Sequence, residues 1–228
     1  MFYYDTTYIL VLLGFILSMI ASLGVKSTFA KYDKVKSMRG ITGAQAARKI
    51  LDQNGLYNIK IAHVDGNLTD HYSPNESIIR LSDSTYNSDS VAAIGVAAHE
   101  CGHAIQYQQN YSPIKIRNSL VPVVNIGNAA SMPLFFIGLF MGLNQLAFAG
   151  VILFSLVLVF QIITLPVEFN ASIRALRTLE GCNMLDDDEL KGARKTLFAA
   201  AMTYVAAVLA TALQVLRLLL ILNRNRRN

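Results

Sequence analysis

Charged residues leave three long gaps along the chain: Thr6 to Val25, Asn118 to Val167, and Thr196 to Leu216. A helix needs about 20 apolar residues to cross the hydrocarbon core of a bilayer. The first and third gaps each fit one crossing. The middle gap fits two, with a turn at Gly142-Leu143-Asn144-Gln145. The pattern therefore predicts four spans, at 6–25, 120–141, 146–166 and 196–218. Asn118, Pro122, Asn125 and Asn128 predict that the second span starts late or packs against protein.

Between the first two spans the pattern changes. Residues 42–54 have helical character, with Thr42 as the N-cap and Gly55 as the stop. Residues 59–64, 68–72 and 77–81 form three short strand candidates, separated by Asp65-Gly66-Asn67 and Ser73-Pro74-Asn75. A second helix is expected from about Val91 to Gln108, capped by Ser88, Asp89 or Ser90. The fold class expected is a mainly α membrane protein with a small α+β unit between the first and second spans. It forms one domain over 1–228, with 26–117 and 167–195 outside the bilayer.

Composition supports this picture. The chain is 53% hydrophobic and 15% charged, against about 25% charged in soluble domains. The net charge of +5 comes from residues that flank apolar runs, with no basic stripe interleaved with aromatics. That excludes a nucleic-acid partner and leaves the lipid bilayer. Lys26, Lys31, Lys34, Lys36, Arg39, Arg48 and Lys49 follow the first span. By the positive-inside rule they put 26–117 in the cytoplasm, and two further spans return 167–195 to that side. Four full crossings put Arg224, Arg226 and Arg227 outside; otherwise the last helix stops short of crossing. The start, Met1-Phe2-Tyr3-Tyr4-Asp5, lacks the positive region of a signal peptide, so the first span is expected to be an uncleaved anchor. Cys101 and Cys182 are expected to be free thiols in a reducing compartment.

The chemistry concentrates at His99-Glu100-Cys101-Gly102-His103. Four residues advance a helix by about 400°, so the two histidines project from one face, one turn apart. They can fill two corners of a zinc tetrahedron, while Glu100 acts as general base on a zinc-bound water. A third ligand is needed. No histidine follows at short spacing, and Glu168 stands at the end of the middle gap, where an ionised group is costly unless paired or metal-bound. It is either the third ligand or an interfacial carboxylate paired with Arg174 or Arg177. For the oxyanion of the tetrahedral intermediate the candidates are His71, Tyr107, Tyr111 and Arg174. His71 could equally be a turn histidine held by Asp70. His63 is expected to be structural, and Cys101 to point away from the ligand face.

The segments Leu68-Thr69-Asp70-His71-Tyr72, Ile79-Arg80-Leu81-Ser82, Val91 through Glu100, and Pro166-Val167-Glu168-Phe169-Asn170-Ala171-Ser172 carry a resemblance to the bacterial membrane family of YugP-like neutral zinc metallopeptidases. More distantly the chain resembles HtpX-type and CAAX prenyl proteases, which are gluzincins. The resemblance spans nearly the whole chain. It implies a gluzincin-like catalytic unit, a Zn2+ cofactor held by His99, His103 and Glu168, and hydrolysis of peptide bonds in membrane or membrane-near polypeptides. It also implies a multi-pass protein of the bacterial inner membrane with its active site on the cytoplasmic side. The HtpX-type enzymes have an aspartate four residues after the ligand glutamate, and Ser172 occupies that position here. The alternative function is a non-catalytic membrane scaffold or regulatory protein with a structural zinc.

Overall fold

A computed structural model of the chain describes residues 6–225. The readings made for Met1–Asp5 and for Arg226 and Arg227 lie outside the described residues. The element order is α1 (Tyr8–Tyr32), α2 (Gly43–Gln53), β1 (Lys60–His63), β2 (His71–Ser73), β3 (Ile78–Leu81), α3 (Val91–Gln108), α4 (Ser112–Phe140), α5 (Asn144–Gly181) and α6 (Asp187–Asn225). Four helices, α1, α4, α5 and α6, are long and apolar enough to cross a membrane.

The expected spans are parts of longer helices. The second begins at Ser112 and contains Pro122, and α5 continues through Pro166 to Gly181. Proline removes one backbone donor and kinks a helix without ending it when neighbours hold the flanking turns. Gly142, at φ +69°, closes the turn between α4 and α5.

The chain packs as two compact units. One contains the described residues up to Ser22, Pro113–Pro166, and those from Met202 onward. Its core joins Phe135 of α4, Ala147 and Val151 of α5, and Leu218 and Leu222 of α6. Small residues set the spacing. A Cβ at Gly138 would lie 2.3 Å from the backbone nitrogen of Ala147, and one at Gly150 would lie 2.6 Å from that of Phe135. In lipid, such close backbone approach replaces the hydrophobic effect as the force that pairs helices.

The other unit comprises Leu23–Ser112 and Val167–Ala201. Its sheet has the order β1-β3-β2. β1 runs parallel to β3, with Lys60 opposite Ile78, and β2 runs antiparallel, with His71 opposite Arg80. β2 is therefore an edge strand. It starts at His71, later than the sequence pattern suggests, because Leu68 takes a left-handed φ of +56° that no strand accommodates. The capping expectations hold. Thr42 and Gln45 form a reciprocal capping box on α2, and Ser90 accepts from the Ala93 amide at the head of α3. The Ser90 hydroxyl also donates to Asp33, just past α1, at 2.9 Å.

Helix α3 runs through the middle of this core. Ala93, Ile94, Ala97, Ala98 and Cys101 are fully buried, against Ile50 and Leu51 of α2, Ile79 and Leu81 of β3, and Leu179 and Ala193 of the long helices. The run of small residues lets neighbouring backbones come close. At Gly102, which lies between the two motif histidines, a Cβ would sit 2.4 Å from the carbonyl oxygen of Ala171. The α3 and α5 backbones touch there, and no side chain can be inserted.

Gly102→Ala should therefore cost about 1–3 kcal/mol, the range for overpacking a tight core. Gly24→Ala, where the added methyl meets nothing within 4 Å, should leave stability unchanged or slightly raised. Thermal unfolding of the two variants in the same detergent checks this; equal melting temperatures would refute the backbone contact.

Candidate metal centre

Three acceptor atoms converge where α3 meets α5. The imidazoles of His99 and His103 lie edge to face, with centroids 4.7 Å apart and planes at 85°. Glu168, 3% exposed, presents Oε2 at 3.3 Å from Nε2 of His99 and 3.6 Å from Nε2 of His103. That oxygen is buried and has no hydrogen-bond partner. Glu168 does not pair with Arg174 or Arg177.

Neighbouring groups decide which nitrogens carry protons. Arg174 Nε, which can only donate, lies 2.6 Å from Asn170 Oδ1. The Gln106 amide nitrogen donates to that same oxygen at 3.0 Å and to the Val167 carbonyl at 2.8 Å. Its oxygen is thereby left facing Nδ1 of His103 at 3.1 Å. An amide oxygen accepts, so His103 Nδ1 bears the hydrogen and Nε2 keeps its lone pair. Ser172 Oγ lies 3.1 Å from Nδ1 of His99 and gives that ring the same polarity when it accepts. Two lone pairs and a carboxylate oxygen then face one another with no proton between them, an arrangement that calls for a cation.

Glu100, on the same turn as the histidines, is 8% exposed and makes no hydrogen bond or ion pair with any described residue. Cys101 points off the ligand face, its Sγ 3.6 Å from the Ala47 carbonyl, and burial raises its thiol pKa far above normal.

The other candidates lie elsewhere. His71 is exposed on β2, its Nδ1 2.9 Å from the Thr69 carbonyl. Asp70 does not hold it, because both Asp70 oxygens are taken by the amide and hydroxyl of Ser82. Tyr107 packs edge-on against Tyr72, and Tyr111 lies under the Arg174 guanidinium. Arg174 also donates to Gln109, so it serves the end of α3. His63 pairs with Asp83 at 2.6 Å on the exposed surface, and Asp83 in turn receives the Gly66 amide, which braces a turn.

A family profile described as "Putative neutral zinc metallopeptidase" matches residues 7–223. The chain belongs to this family. A curated relative, "Putative membrane protease YugP" of Bacillus subtilis (strain 168), is 46% identical over 205 residues, covering 90% of this chain and 91% of the relative. No solved structure matches. With four apolar helices and a relative named as a membrane protease, the chain is a multi-pass membrane protein.

The zinc metallopeptidase family implies Zn2+ as cofactor, and the residues present fit it. Two ligands each about 2.1 Å from a tetrahedral ion stand about 3.4 Å apart; the observed separations are 3.3 and 3.6 Å. The donor set, two imidazole nitrogens and one carboxylate oxygen, is one that zinc favours. Each imidazole N–H of such a site needs a partner; the sequence offered Ser172, which lies against His99, and left the partner of His103 unnamed. Gln106 meets that demand for His103. Its signal was present, since it lies three residues on, along the same face of α3.

Two outcomes follow. Gln106→Leu should weaken zinc binding by roughly 10- to 100-fold, the usual cost of losing such a partner, as read by chelator competition. Burial opposes the His103 imidazolium, but the Glu168 and Glu100 carboxylates outweigh it and raise its pKa above the ordinary value in the metal-free protein. Zinc must displace that proton, so affinity should fall as pH drops, starting at a higher pH than an unperturbed histidine would give. Zinc titrations between about pH 8 and pH 5 test the sign; affinity flat across that range would contradict it.

Proposed function

We propose that this protein is a gluzincin-type zinc peptidase, with His99, His103 and Glu168 as the metal ligands and Glu100 as the general base. The observation that carries the reading is the free Glu100 carboxylate beside three converging acceptors. A carboxylate already held by donors makes a poor proton acceptor, and this one has none. Zinc would supply Lewis acidity toward the attacking water and the scissile carbonyl.

The chain's own residues do the rest. Glu100 takes a proton from the water and passes it to the departing amine, which links attack to bond cleavage. Gln106 and Ser172 hold the two imidazoles in the orientation that keeps their lone pairs inward. His71 is the candidate for stabilising the oxyanion. It stands on the edge strand whose neighbour, Tyr72, packs on α3. Its Nδ1–H is spent on Thr69, so Nε2 can donate only from the imidazolium.

The substrates in this reading are peptides and membrane-near segments of other proteins. The edge strand offers unpaired backbone groups along which an extended chain can lie. The basic cluster from Lys26 to Lys49 supports a cytoplasmic site in a bacterial inner membrane. Nucleic acid has no place in it.

Glu100→Gln should retain zinc and lose about 10²–10⁴-fold in peptide cleavage, while Glu168→Ala should lose zinc. Metal content and hydrolysis of an unstructured protein substrate, measured in parallel on the purified full chain, decide the matter. Cleavage by Glu100→Gln at the wild-type rate would sink the mechanism. Zinc retained in all forms with no turnover would instead indicate a structural site.

A further inference from the structure

A cavity of about 400 Å³ lies between α5 and α6, apart from the metal ligands. Ligand pockets typically begin at about 300 Å³. Its α5 wall is Phe169, Ser172, Ile173, Leu176, Arg177 and Glu180, a single stripe at helical spacing. Its α6 wall is Arg194, Leu197, Phe198 and Ala201, a second stripe. Ser172 touches His99 at Nδ1, on the far side of that ring from Glu168. The cavity thus sits behind the metal cluster and is no part of its open face.

The walls change character along their length. The short turn 182–186 joins the two helices, so they run in opposite directions and their residues pair by height. Phe169 lies level with Phe198 and Ala201, where both helices leave their charge-free runs. Further out stand Arg177, about two turns beyond Phe169, and Arg194, about one turn beyond Phe198 on the other wall. Glu180 comes last, another turn beyond. From Phe169 to Glu180 the helix rises about 16 Å.

All three charged side chains are exposed, and none makes a hydrogen bond or ion pair with a described residue. Two unpaired guanidiniums facing one cavity repel each other and lack an anion. The lone carboxylate beyond them lacks a cation. The order apolar, doubly cationic, anionic reproduces in complement the order of a phospholipid with an amine headgroup: acyl chain, phosphate diester, ammonium.

We infer that this cavity binds an aminophospholipid of the phosphatidylethanolamine class. Its phosphate lies between Arg177 and Arg194, its ammonium meets Glu180, and its acyl root rests on Phe169, Leu197 and Phe198. Guanidiniums bind phosphate oxygens in paired hydrogen bonds. A primary ammonium donates three hydrogen bonds to acceptors such as the Glu180 carboxylate, and a quaternary choline headgroup donates none. Phosphatidylglycerol would satisfy the arginines and leave Glu180 facing a neutral headgroup. The site is independent of the peptidase reading.

The chain has no tryptophan, so Phe198→Trp places a single fluorescent reporter on the cavity wall. The full-length variant is reconstituted into phosphatidylcholine vesicles. Acyl-brominated phosphatidylethanolamine, phosphatidylglycerol or phosphatidylcholine is then added at equal mole fraction as quencher. Quenching by the ethanolamine lipid should be several-fold stronger than by the choline lipid and stronger than by the glycerol lipid. Adding Arg177→Gln with Arg194→Gln should remove the excess. Adding Glu180→Gln should shift the preference to phosphatidylglycerol. Equal quenching by all three lipids would overturn the proposal. So would a wild-type preference for phosphatidylglycerol, the mark of an unselective basic patch. If the tryptophan variant fails to fold, native mass spectrometry of the unaltered chain from mixed-lipid micelles tests the same preference: the ethanolamine lipid should stay bound, and retention of all three alike would refute it.

Discussion

One oxygen atom organises the polar interior of the sheet-bearing unit. Oε2 of Glu168 is buried, accepts no hydrogen bond, and faces Nε2 of both imidazoles, whose Nδ1 atoms are engaged by Ser172 and Gln106. Burying a carboxylate oxygen in this way is expensive without a compensating charge. Everything around it maintains that cost. Gln106 is turned by Val167 and Asn170, Asn170 is turned by Arg174, and each step fixes the next until His103 is committed at Nδ1 and turns Nε2 toward Glu168. A cation bound among these three groups would make the arrangement favourable.

The same few contacts explain why the architecture is built around α3. Its two histidines face Glu168 of α5, and the distance between the helices is set by Gly102 against the backbone of Ala171. Glu168, Asn170, Ala171 and Ser172 form one stretch of α5, and each meets α3 differently: as a carboxylate facing the two imidazoles, an amide anchor, a backbone contact and an imidazole partner. A segment that follows directly on an apolar run thus serves as one wall of a polar site.

Much of this was legible in the sequence, for a physical reason in each case. The four long helices are written as gaps in charge, which only a bilayer tolerates. The pair of histidines is written in helical periodicity, and Glu168 in the cost of a carboxylate at the end of such a gap. What was not legible depended on three-dimensional detail. The left-handed Leu68 that delays β2 has no side-chain signature. The role of Asp70, holding Ser82 and not His71, turns on which of two neighbours lies in reach. Gln106 needed the orientation of its amide, which is settled by Asn170 across the helix interface, 64 residues away in sequence.

Both imidazole partners, Ser172 and Gln106, are neutral. Many zinc sites place a carboxylate in such a position, which makes the ligand more basic and offsets part of the metal's charge. With zinc bound here, Glu168 would be the only anion among the three ligands, leaving one formal positive charge on the ligand sphere. Such a centre holds its ion less tightly and draws electrons more strongly from whatever enters the fourth position.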